Sequence, residues 1–209
     1  ATFDGTFTEA YRDVNEVFAS AVVEEAAEDD VVWFQDYHLA LAPRLVRTAV
    51  PSAFLMHFWH IPWPAWDDFQ ACPEYADLLD GLLANDLLGF HTERYCQNFL
   101  DCVAMGTSAD VDWASGTVHY RGQTTAVRAF PLGVDTRACE RRAKSDAAQA
   151  FWESFAAEHD LTDRHVAVGV DRLDYTKGIL ERLAALERLW ETRPEWRGEL
   201  TYVQKASES

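Results

Sequence analysis

The chain has 209 residues, 48% hydrophobic and 13% aromatic, enough to build one large domain or two small ones and too apolar for a disordered chain. Asp and Glu number 35 against 18 Lys and Arg, a formal net charge of −17, which argues against nucleic acid and anionic membranes as partners. No apolar run reaches membrane-spanning length and Ala1-Thr2-Phe3-Asp4 has no signal-peptide character, so a cytoplasmic protein is expected.

Tyr11, Val14, Val17, Phe18, Ala21 and Val22 mark an amphipathic helix that ends in the acidic stretch 24–30. Val31-Val32-Trp33-Phe34 reads as a buried strand and 39–46 as a helix despite Pro43. A second strand is predicted over 53–58, broken by Ile61-Pro62-Trp63-Pro64, with a helix from beyond Pro73 to Leu83. A short strand over 86–90 precedes a helix over 93–105, and 117–120 and 125–130 read as strands around Arg121-Gly122-Gln123. From Arg137 to Asp163 the chain turns charged, Ala-rich and helical. A strand over 166–170, a helix over 178–193 and a strand over 199–204 then open a new β-α-β unit. Such alternation predicts an α/β fold with doubly wound parallel sheets. The domain boundary is placed at 160/161, giving domains 1–160 and 161–209, both incomplete because two strands and one helix cannot bury a core; a fragment of a longer enzyme is expected.

The four cysteines, Cys72, Cys96, Cys102 and Cys139, form no CxxC pair, and Cys96 and Cys102 read as buried free thiols. His57 and His60, if both lie on one strand, point to opposite faces, so no metal site is expected. With only three Lys among the cations, the acidic surface fits a salt-rich cytoplasm in which self-repulsion is screened.

The chemistry concentrates at the predicted strand ends, where open α/β sheets bind ligands. Asp171-Arg172-Leu173-Asp174-Tyr175-Thr176-Lys177-Gly178 places two cations in one strand-to-helix turn, suited to a phosphate or diphosphate near a helix N-terminus. Asp36 follows the first strand, His60 the second, and Phe130-Pro131-Leu132-Gly133-Val134-Asp135 a later one. Singly, the cations fit a solvated loop, Asp36 a helix N-cap and His60 a structural histidine; as a set they point to a ligand site.

Val32-Trp33-Phe34-Gln35-Asp36-Tyr37-His38-Leu39, His60-Ile61-Pro62-Trp63-Pro64, Asn85-Asp86-Leu87-Leu88-Gly89-Phe90-His91-Thr92 and the 171–178 turn together resemble the trehalose-6-phosphate synthases, from about Tyr11 to Gln204. The resemblance implies the GT-B architecture of two Rossmann-like domains, and retaining transfer of glucose from UDP-glucose to glucose 6-phosphate. It implies that Arg172 and Lys177 grip the donor diphosphate, that His60 meets the transferred glucose near its 6-hydroxyl, and that Asp36 orients sugar hydroxyls on the acceptor side. It also implies neither metal nor cofactor. Self-association into a homo-oligomer is left open. Phe7 and Thr8 stand where family members carry a Trp near the acceptor. That departure leaves a different acceptor open, as in a glucosylglycerol-phosphate synthase or a pseudo-glycosyltransferase. A non-catalytic regulatory relative is the remaining alternative. The family's glycine-rich loop and the acidic residues that hold the donor sugar are expected beyond the two ends, leaving the fragment alone inactive.

Overall fold

The computed structural model describes residues 5–27 and 29–207, and the chain divides between Gly133 and Val134 into two compact units. The first unit runs α1 (Gly5–Glu25), β1 (Val31–Gln35), α2 (Ala42–Ala49), β2 (Phe54–Phe58), α3 (Trp66–Phe69), α4 (Tyr75–Leu82), β3 (Leu87–Phe90) and α5 (Glu93–Gly106). It ends with β4 (Asp110–Asp112), β5 (Thr117–Tyr120) and β6 (Gln123–Ala129). Pro43 lies in the first turn of α2, where its missing N–H removes no helical hydrogen bond, so the helix tolerates it. Thr92 caps α5 by accepting from the Tyr95 N–H at 3.3 Å.

The strands form one sheet in the order β1-β2-β3-β6-β5-β4. The four from β1 to β6 are parallel; β5 and β4 run antiparallel, because 117–129 closes as a tight hairpin at Arg121-Gly122. This α/β sheet agrees with the expected fold class.

Alternation along the strands decides which face is buried. Phe34, Leu55, His57, Leu88, Phe90 and Val127 point into the core, where residues of α2, α4 and α5 meet them. Cys96 and Cys102 lie there as free thiols, and burial pushes each up to about 11, so both stay protonated at neutral pH. The other face carries Val31 (64% exposed), Trp33 (59%) and the half-buried Met56, Phe58 and Leu87. The 31–34 run, expected to be buried, is therefore buried on one face only.

The second unit contains α6 (Thr136–Ala143), α7 (Asp146–Glu158), β7 (His165–Arg172), α8 (Ile179–Thr192) and β8 (Leu200–Ser207). Asp135 and Ser145 cap α6 and α7 through their side chains. β7 and β8 pair in parallel in full register, His165 opposite Leu200 through Arg172 opposite Ser207. The 166–170 run also departs from expectation: Val168 (64%) and Val170 (67%) are exposed, since two strands and one helix leave one sheet face without a covering layer.

Candidate active site

Parallel pairing brings the carboxyl ends of β1, β2, β3 and β6 to one edge of the first unit. Register then fixes the neighbours. Gln35 lies opposite Phe58, so Asp36, the next residue, lies beside the chain leaving β2. Asp36 donates its N–H to the Phe58 carbonyl at 2.7 Å, and its Oδ1 accepts from the backbone N–H of His60 at 3.1 Å. Its carbonyl accepts from His57 Nε2–H at 2.8 Å. These bonds hold Asp36 at φ 60°, ψ −175°, a region that side-chain-bearing residues avoid at a cost of about 1–3 kcal/mol. Asp36 occupies the N-cap position of the 3-10 turn 37–39, yet its carboxylate makes no capping bond. The carboxylate bonds the chain leaving β2 and not the turn that it precedes.

His60 lies two residues past β2, not on it, and the two imidazoles still face apart: His57 packs into the core against Phe34, and His60 lies beside Phe58 on the other face. A cavity of about 560 Å³ on the His60 side is lined by Gln35, Phe58, His60 and His91. Among the described residues no group of three His, Cys, Asp or Glu side chains is arranged to hold a metal. His57 is the structural histidine of the pair: it is 1% exposed, and burial lowers its pKa to about 4. His60 is exposed, with Nε2–H donating to Gln35 Oε1 at 2.8 Å and its ring 4.7 Å from Phe58 and 5.5 Å from His91. Gln35 and His91, which sequence reasoning passed over, join the site because each sits at the end of a parallel strand next to His60. Thr8 donates to Glu74 Oε1 at 2.8 Å, and the Phe7 side chain lies outside the described residues.

The second unit holds the two cations. The Asp174 carboxylate accepts from the Thr176 N–H at 2.9 Å and from the Thr176 hydroxyl at 2.8 Å, which shapes the turn and lowers the Asp174 pKa. Gly178 then takes φ 61° and leads into α8, a conformation that favours glycine. Arg172 and Lys177 are exposed, and among the described residues neither side chain makes a hydrogen bond or an ion pair. The charges of both cations act on Asp174 in the same turn; two cations ahead of a helix N-terminus are an arrangement that can hold an anion. Asp36 and His60 are brought together in the first unit; Arg172 and Lys177 lie in one strand-to-helix turn of the second.

The family model that matches this chain, over residues 1–209, is glycosyltransferase family 20. The chain belongs to glycosyltransferase family 20. The α,α-trehalose-phosphate synthase [UDP-forming] of Schizosaccharomyces pombe is 36% identical over 208 residues, 98% of this chain and 40% of that protein. Among solved structures, the Escherichia coli trehalose-6-phosphate protein bound with UDP-2-fluoro glucose superposes with a TM-score of 0.78 at 30% identity. That match covers the whole of this chain and 46% of the other. The α,α-trehalose-phosphate synthase of Burkholderia xenovorans in complex with glucose-6-phosphate gives 0.77 at 30% identity, with the same coverage. The chain thus spans less than half the length of these relatives. Among its described residues, no helix is long and apolar enough to cross a membrane.

Proposed function

We propose that the protein carrying this chain is a retaining glucosyltransferase that uses UDP-glucose and glucose 6-phosphate and releases α,α-trehalose 6-phosphate and UDP. The observation that carries the proposal is the pair of exposed cations, Arg172 and Lys177, whose side chains make no hydrogen bond or ion pair among the described residues, in one turn ahead of α8 within a family 20 chain. Relatives named as UDP-forming synthases, and similar structures holding a UDP-glucose analogue or glucose 6-phosphate, support the choice of substrates.

In this reading Arg172 and Lys177 hold the donor diphosphate. As the bond from the anomeric carbon to the β-phosphate oxygen breaks, negative charge builds on that oxygen, and preorganised cations lower the barrier most at that point. Arg supplies a planar fork and Lys a compact charge. The acceptor hydroxyl attacks on the face the diphosphate leaves. Its proton passes to the departing phosphate oxygen, so configuration is retained without a carboxylate nucleophile. His60 orients the transferred glucose and Asp36 the acceptor hydroxyls; the strained backbone of Asp36, anchored through both its N–H and its carbonyl, fits a group held for function rather than stability. The proposal calls for no metal and no cofactor, because the two cations supply the charge neutralisation. The net charge of −17 supports a cytoplasmic, salt-adapted setting and weighs against nucleic acid as a partner.

The test is an assay of the whole protein with UDP-glucose and glucose 6-phosphate. UDP and trehalose 6-phosphate in equal amounts are expected. Product formed only with a different acceptor would move the protein to a related GT-B activity.

A further inference from the structure

Arg182 lies one turn into α8, and the proposed catalysis does not use it. Its Nη1 donates to Asp171 Oδ2 at 3.0 Å, to the Tyr202 hydroxyl at 2.8 Å and to Gln204 Oε1 at 2.9 Å, while Nη2 donates to the Lys177 carbonyl at 3.3 Å. The Tyr202 hydroxyl in turn donates to Gln204 Oε1. One guanidinium therefore grips the residue just before the first cation, Arg172, and the backbone of the second, Lys177, and ties both to β8. Gly169 makes the room: a Cβ there would overlap the Tyr202 hydroxyl, Gln204 Oε1 and Arg182 Nη1. The absence of a side chain at 169 is thus a requirement of this network.

We propose that Arg182 is a positioning residue that sets the spacing of Arg172 and Lys177 and shields the Asp171 carboxylate from a bound diphosphate. The inference rests on the diphosphate reading given above. The geometric part follows from the fork: bonds to Asp171 and to the Lys177 carbonyl fix both ends of the turn at once, which a single-point ammonium cannot do. The electrostatic part follows from adjacency. Asp171 is the chain neighbour of Arg172, and without its ion pair its charge would oppose an anion held by Arg172.

Calorimetric titration of the whole protein with UDP tests this. Arg182→Ala is expected to weaken UDP binding about tenfold. Adding Asp171→Asn to that variant is expected to recover at least about threefold, since it removes the exposed carboxylate; a purely structural role gives no such recovery. Arg182→Lys, which keeps the charge and loses the fork, should fall in between and serves if the alanine variant does not fold. UDP affinity within about twofold of wild type in folded Arg182→Ala or Arg182→Lys would overturn the proposal, as would a double variant no better than Arg182→Ala. Arg172→Ala is the reference. If it too leaves UDP binding unchanged, the diphosphate reading itself fails; if it weakens binding while the Arg182 variants do not, only the role of Arg182 fails.

Discussion

The imidazole of His57, buried beneath the sheet edge, donates from Nε2 to the main-chain carbonyl of Asp36 at 2.8 Å. A carbonyl can only accept, so the bond fixes the neutral tautomer, and Nδ1 is left buried without a partner among the described residues. The folded pKa of about 4 lies below the ordinary 6.5. Between those values the unfolded chain takes up the proton more readily. The contribution of His57 is therefore whole above about pH 6.5 and is lost as pH falls toward 4, by about 3 kcal/mol in all. In His57→Gln, whose amide still donates but does not titrate, the fall in stability from pH 6.5 to 4 should be shallower than in wild type. Equal slopes in denaturant titrations would refute this.

The backbone of Asp36 leads to a second expectation. At φ 60° and ψ −175° a Cβ is strained and a glycine is not. Asp36→Gly and Asp36→Ala both lose the bond to the His60 N–H, yet the glycine variant should be the more stable, by about 1 kcal/mol after its larger unfolded-state entropy is counted. Both should lose glucosyl transfer. An alanine variant as stable as the glycine variant would show that the backbone is not strained.

Much of this architecture is legible in the sequence. The apolar runs at 31–34, 53–58, 86–90 and 166–170 fall on parallel strands, Asp36 and His60 lie just past strand ends, and Arg172 ends β7 with Lys177 in the strand-to-helix turn after it. What could not be read was pairing and cover. α3 has four residues and β4 is Asp-Val-Asp, too short and too polar for periodicity to register. Apolar alternation marks a strand without saying which faces acquire a layer, so Val31, Trp33, Val168 and Val170 were expected inside and lie outside. The partnerships of His57 with Asp36, Gln35 with His60 and Arg182 with Asp171 span 21, 25 and 11 residues. They follow from register, which one sequence does not state.

His60 should act on the sugar and not on the diphosphate. In the whole protein, His60→Ala is expected to depress transfer strongly while UDP affinity and thermal stability stay close to wild type, because the residue is exposed and, among the described residues, its ring hydrogen-bonds only Gln35. A joint collapse of UDP binding, stability and activity would make His60 a structural residue.

The acidic surface should respond to salt. With a net charge of −17, screening of carboxylate repulsion is expected to raise the thermal midpoint in molar KCl above its value at low salt. A midpoint unchanged or lowered by salt would count against adaptation to a salt-rich cytoplasm.

The most direct test of the catalytic assignment is the steady-state rate of glucose transfer from UDP-glucose to glucose 6-phosphate in Arg172→Ala and Lys177→Ala, measured on the whole protein with its fold checked by circular dichroism. Each substitution removes one cation from the place where charge develops, and such a contact commonly contributes about 10²–10³ in rate. A loss of at least about tenfold in turnover is expected from each variant with the fold intact. Wild-type kinetics in either would contradict the assignment of this turn to the donor diphosphate.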